Sequence, residues 1–82
     1  MSVRGEFQRI LGDTTAHLRV EGEHALAEAL ERAESGAGDS LEARARAVLD
    51  VAIKGSTAPL ERVLEHLFAI GEVVLGSQAT RR

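Results

Sequence analysis

Apolar residues recur at helical spacing in four successive stretches of the chain. In the first stretch Val3, Phe7, Ile10 and Leu11 stand at i, i+4, i+7 and i+8, which places them on one face of an α-helix. Three later stretches repeat this pattern, and none shows the strict alternation of a half-buried strand. The pattern therefore predicts an all-α protein.

Capping residues set the bounds of the first two predicted helices. Ser2 is a suitable N-cap for a helix over 3–11, and Gly12 is its predicted stop. Asp13 or Thr14 begins a long second helix over 14–35, which ends at the glycine-rich turn that follows. Gly22 interrupts this second pattern, and a kink, a break or a close helix crossing there are all compatible with the sequence.

The last two helices have clearer start signals. Asp39 followed by Glu42 resembles a capping box, and it predicts a helix over 40–54 with Lys54 in the last turn and Gly55 as its stop. A hydroxyl residue followed by Pro59 begins a helix over 58–76. Gly71, within that helix, allows a neighbouring helix to approach closely.

These elements predict one domain over 1–82, either a small four-helix bundle or an orthogonal four-helix array. The fourth helix is apolar over more than half its circumference, with a narrow polar strip that contains Glu61, Arg62, Glu65 and Glu72. The predicted core consists of Phe7, Leu11, Leu18, Leu26, Leu30, Val48, Leu49, Leu64, Leu67, Phe68 and Val74.

Composition narrows the classes of function. The 82 residues include two Phe, no Trp, no Tyr and no Cys, so the core is thin and has no disulfide to stabilise it. A homo-oligomer is therefore expected. The net charge of −3, without a cluster of Lys and Arg, is typical of a small acidic protein that does not bind nucleic acid. The absence of a long apolar run and of a signal sequence predicts a soluble, cytoplasmic protein without membrane contact.

One short motif suggests a cofactor. Gly38-Asp39-Ser40-Leu41 resembles the attachment motif of acyl and peptidyl carrier proteins, which are acidic four-helix domains. The resemblance implies that Ser40 carries a phosphopantetheine arm. Arg44 departs from the family, because that position is usually apolar. Asp and Ser are also common helix caps, so capping is the preferred interpretation and the carrier protein is an alternative.

A second alternative is a metal site. His17, Glu21 and His24 share one helical face, and the Glu21-x-x-His24 spacing is that of di-iron bundle proteins. The chain contains no second motif of this kind, so a complete site requires a homodimer. A solvated polar face with i,i+4 pairs is the preferred interpretation.

No set of residues in the sequence indicates a catalytic site, and the leading hypothesis is a non-enzymatic protein–protein interaction module without a cofactor. An adaptor, a regulatory subunit and an assembly subunit fit this hypothesis equally well. The fourth helix has more apolar surface than so short a chain is expected to cover. The predicted interface on that helix consists of Val63, Leu67, Ile70 and Val74.

Overall fold

The computed structural model describes residues 2–79, with side chains described over 2–76. It contains four α-helices and one short 3-10 helix, and the described residues include no strand. The elements are α1 (Val3–Val20), α2 (His24–Gly36), α3 (Leu41–Gly55), the 3-10 helix (Ala58–Leu60) and α4 (Glu61–Ala79). The predicted all-α four-helix fold is confirmed.

The four helices form a closed ring of contacts. Each helix packs on its neighbours in the sequence, and α4 returns to pack along α1. The Cα radius of gyration is 12.1 Å, and the longest dimension is 41 Å against 25 and 23 Å across. The elongated shape is that of a small bundle rather than of an orthogonal array.

The boundary between the first two helices is not where the sequence suggested. The predicted stop at Gly12 is wrong, because α1 continues through it and buries Thr14 and Thr15 one turn later. The helix ends instead at Val20, two residues before Gly22, which has φ +85°. Left-handed backbone of this kind is accessible to glycine at little steric cost. The predicted helix over 14–35 is therefore divided: its first part belongs to α1 and its second part is α2, so that of the three alternatives at Gly22 the structure shows the break.

Two backbone hydrogen bonds close α1 at this turn. The Gly22 N–H donates to the Arg19 carbonyl at 3.1 Å, and the Glu23 N–H donates to the Leu18 carbonyl at 2.7 Å. This pair of bonds is the Schellman arrangement, which satisfies carbonyls that the end of a helix leaves without partners.

The remaining caps agree with the sequence more closely. The Ser2 hydroxyl accepts from the Gly5 N–H at 3.0 Å, which confirms that cap. The cap of α3 is Ser40, whose hydroxyl accepts from the Ala43 N–H at 3.3 Å; the predicted Asp39 cap is wrong. The fourth predicted helix begins with a 3-10 turn containing Pro59 and continues past Gly76.

The core lies along the axis of the bundle and contains most of the residues predicted for it. Leu26 and Phe68 are exceptions, since both are half-buried at its edge. The structure adds residues that were not predicted. These are Ala27, Ala45, Ala52, Leu60 and Ile70.

Two glycines lie where a leucine from another helix crosses closely. A Cβ atom at Gly71 would be 2.6 Å from Leu49 Cδ1, and one at Gly55 would be 2.6 Å from Leu26 Cδ1. Both distances are shorter than a carbon–carbon contact permits. The predicted close approach at Gly71 is thus confirmed, and this contact holds α3 against α4.

Candidate functional site

Ser40 occupies an exposed position at the start of α3, where its hydroxyl caps the helix. Arg44, one turn later, donates to the Gly38 carbonyl and lies 3.7 Å from a Glu34 carboxylate oxygen. Arg4 from α1 donates to the Asp39 carbonyl at 2.9 Å. Two arginines therefore hold the turn that presents Ser40, and the residue that departs from the carrier-protein pattern is one of them.

Of the three predicted metal ligands, two lie together and the third belongs to another helix. His17 Nε2 lies 3.7 Å from Glu21 Oε2, while His24 belongs to the next helix, beyond the Gly22 turn. Over the described residues, no group of three or more His, Cys, Asp or Glu side chains is placed to hold a metal ion. The prediction of a shared ligand face is wrong, because it assumed one continuous helix through Gly22.

The predicted interface on the fourth helix also needs correction. Leu67, Ile70 and Val74 belong to this chain's own core, and Val63 is half-buried against it. Their burial follows from the closure of α4 onto α1 on one side and onto α3 on the other. These side chains therefore do not form an open surface.

A groove of about 340 Å³ lies on the surface where α1 and α4 meet. It brings together His17 and His66, above the apolar side chains of Ile10 and Val63. Arg9, at its rim, already pairs with Glu6 at 3.1 Å and with Asp13 at 3.5 Å. The groove thus combines apolar side chains with charges of both signs, and its arginine is already paired with carboxylates of α1.

A different surface lies on the outer side of the contact between α3 and α4, and we call it the α3–α4 face. Helical position relative to the Leu49–Gly71 contact assigns to it Leu49, Ile53, Phe68 and Leu75, with the carboxylates of Glu42, Glu61, Glu65 and Glu72.

The Leu49–Gly71 contact places the apolar members of the α3–α4 face side by side. Ile53 lies one turn beyond Leu49 on α3, while Phe68 and Leu75 lie one turn to either side of Gly71 on α4. Ile53 is 65% exposed, and Phe68 and Leu75 are half-buried. Ile53, Phe68 and Leu75 thus form an apolar row that keeps contact with solvent, whereas Leu49 is buried.

The carboxylates of this face form no ion pair with any cation among the described residues. Glu61, Glu65 and Glu72 are exposed on one strip of α4, and Glu42 lies two turns before Leu49 on α3. None of the four makes an ion pair within the described part of the chain.

Carboxylates elsewhere on the described surface are mostly paired. The clearest pair joins α1 to α2, where the Arg19 guanidinium donates two hydrogen bonds to Glu31, at 2.8 and 3.1 Å. The hydrogen bond from Arg19 lowers the pKa of Glu31, and the same bond raises the pKa of Arg19. The surface where Arg19 and Glu31 meet, which we call the α1–α2 side, thus has paired charges, in contrast to the carboxylates of the α3–α4 face.

Ile53 is the member of this face that the sequence did not single out, although its position was readable. It stands four residues, about one helical turn, after Leu49, which the sequence assigns to the predicted core. The acidic row corresponds to the polar strip already apparent on the fourth helix.

No helix among residues 2–79 is long and apolar enough to cross a membrane. Comparison of the chain with protein-family models, with curated proteins and with solved structures finds no match.

Proposed function

We propose that this protein is a non-enzymatic interaction module that binds another protein chain through the α3–α4 face. The observation that carries the proposal is the exposure of Ile53, one turn from the Leu49–Gly71 contact, with the half-buried Phe68 and Leu75 on the adjoining part of α4. A single exposed apolar residue is ordinary, but one exposed and two half-buried apolar side chains flanked by charges have the arrangement of a binding surface.

The chemistry of the face suits association. Removing apolar surface from water contributes about 25 cal/mol for each Å² buried. Protein interfaces place such apolar groups at the centre and polar groups around them. Here the apolar row supplies the centre, and the acidic strip of α4 supplies one rim.

The self-association predicted from the thin core remains a prediction. A second copy and a different protein are both partners that the apolar row of the α3–α4 face could accept. Both kinds of assembly give a solution mass above that of the monomer, and both depend on Ile53 if this face is used.

The test is the solution mass of the protein isolated under native conditions from its source, by light scattering behind a sizing column. We expect a complex that Ile53→Ser reduces to the monomer. Val20→Ser is the matched control, because Val20 is also apolar and is 82% exposed, but lies at the end of α1. A lone monomer, or a complex that survives Ile53→Ser, would contradict the proposal.

A further inference from the structure

The charge on the α3–α4 face indicates what kind of partner fits it. We infer that the face binds an amphipathic helix of another protein, whose apolar stripe covers Ile53, Phe68 and Leu75 and whose basic flank meets the acidic strip of α4. This inference rests on the proposed function and names the chemistry of the partner.

A helix matches the spacing of the apolar row. Phe68 and Leu75 are two turns apart on α4, and Ile53 adds a third position from α3. The strip from Glu61 to Leu75 is about 20 Å long at a rise of 1.5 Å per residue. A partner helix of about four turns covers that length with apolar residues at i, i+3, i+4 and i+7.

The excess of carboxylates selects a basic partner. Four carboxylates belong to the face, whereas Arg46 on α3 and Arg62 on α4 are the cations near it that form no ion pair among the described residues. Carboxylates thus outnumber guanidinium groups by two to one. Lys or Arg side chains on the partner would complete ion pairs that this chain leaves open.

The same charges disfavour a second copy of this chain on the face. A two-fold symmetric interface places the same surface on both subunits. Two α3–α4 faces brought together would therefore oppose one acidic strip to another, at a cost in like-charge repulsion. A basic helix covers the same apolar row without that cost.

The α1–α4 groove is a weaker candidate for this partner. Its arginine is already bound by two carboxylates of α1, and the groove carries both signs of charge. The α3–α4 face combines an exposed apolar row with charge of predominantly one sign, which discriminates between partners.

Two synthetic 18-residue peptides test the inference on the ¹⁵N-labelled full-length protein. Both carry Leu along one helical stripe, and they differ only in having Lys or Glu on the flanking positions. We expect the Leu/Lys peptide to bind and to shift the amide resonances of residues 46–53 and 61–75. The Leu/Glu peptide should bind at least about tenfold more weakly, a difference of about 1.4 kcal/mol.

Matched variants separate the contributions of apolar contact and charge. Ile53→Ser should weaken binding of the Leu/Lys peptide about tenfold, and Val20→Ser should leave it unchanged. Glu65→Lys should weaken it severalfold, whereas Glu28→Lys makes the same charge change on α2 and should have little effect. All four positions are exposed, and circular dichroism confirms the fold of each variant.

The other possible results contradict either the basic partner alone or the proposed function as well. Equal binding of both peptides at the α3–α4 face would contradict the basic partner and leave the proposed function standing. An Ile53-dependent dimer of the protein alone would do the same, with a second copy as the occupant. Shifts confined to the α1–α4 groove, or no binding by either peptide to a monomeric protein, would overturn both the inference and the proposed function.

Discussion

The α1–α2 side and the α3–α4 face both carry charged side chains, but they differ in whether those side chains pair with one another. On the α1–α2 side, Arg19 and Glu31 join the two helices. Arg44 donates a hydrogen bond to the Gly38 carbonyl, in the turn between α2 and α3. On the α3–α4 face, Leu49 and Gly71 hold the helices through a close apolar contact, and the carboxylates make no ion pair within residues 2–76. Charged pairs thus join elements of this chain on the α1–α2 side, whereas the proposed function assigns the carboxylates of the α3–α4 face to a partner.

The largest expected effect separates the core from the face. Leu67→Ala should lower the free energy of unfolding by about 2–5 kcal/mol, because a fully buried leucine leaves a cavity. Ile53→Ala should change it by less than about 0.5 kcal/mol, because its side chain is mostly in water. Urea unfolding of both variants measures the contrast, and equal losses would show that Ile53 is a folding residue.

The next effect concerns the contact that holds α3 to α4. Gly71→Val should destabilise the protein by about 1–3 kcal/mol, because the new side chain must displace Leu49. Gly12→Val is the control: no atom lies within 4 Å of a Cβ there, and the helix tolerates valine at least as well as glycine. Thermal unfolding should separate the two variants; equal stability would mean that Leu49 yields without cost.

A smaller effect is expected at the turn between α1 and α2. Gly22→Ala should cost about 1–2 kcal/mol, since an L-residue with a Cβ is strained at φ +85°. Gly36 ends α2 without a positive φ, so Gly36→Ala should be close to neutral in the same denaturant titration. A cost at Gly36 equal to that at Gly22 would contradict the role of backbone conformation.

The smallest effect is the pH response of the Arg19–Glu31 pair. Because the pKa of Glu31 is lowered in the folded protein, its contribution to stability is present above the carboxyl group's unfolded pKa of about 4.3. That contribution is lost as the pH falls through the lowered folded value. Arg19→Gln should return the Glu31 pKa towards its ordinary value, which a carboxyl-carbon NMR titration detects, and an unchanged pKa would show that the pair does not form.

The bounds of a helix could be predicted from the sequence where its capping and stop residues were unambiguous. The α3 helix has start and stop signals at both ends, and its observed bounds differ from the predicted ones by one residue, because Ser40 rather than Asp39 is the cap and the helix includes Gly55. Gly12 and Gly22 are equally good stop signals by composition. Only the packing of Thr14 and Thr15 into the core shows that the first is passed and the second is used.

The site was less predictable, because an apolar face does not reveal what covers it. Ile70 and Val74 have the same pattern as interface residues, and their burial depends on how α4 lies between α1 and α3. The exposure of Ile53 depends on the same packing. Periodicity thus identifies the apolar positions of a helix, whereas tertiary contacts decide which of them remain in water.

Photo-crosslinking at position 53 tests the central claim most directly. A photoreactive amino acid replaces Ile53 in one sample and Val20 in the other, in cells that naturally contain the protein, and mass spectrometry identifies the attached segment. The account predicts a crosslink at position 53 to an amphipathic helix rich in Lys or Arg, and none at position 20. Crosslinking at position 20 alone, or at neither position, would contradict the assignment of the α3–α4 face as the docking surface.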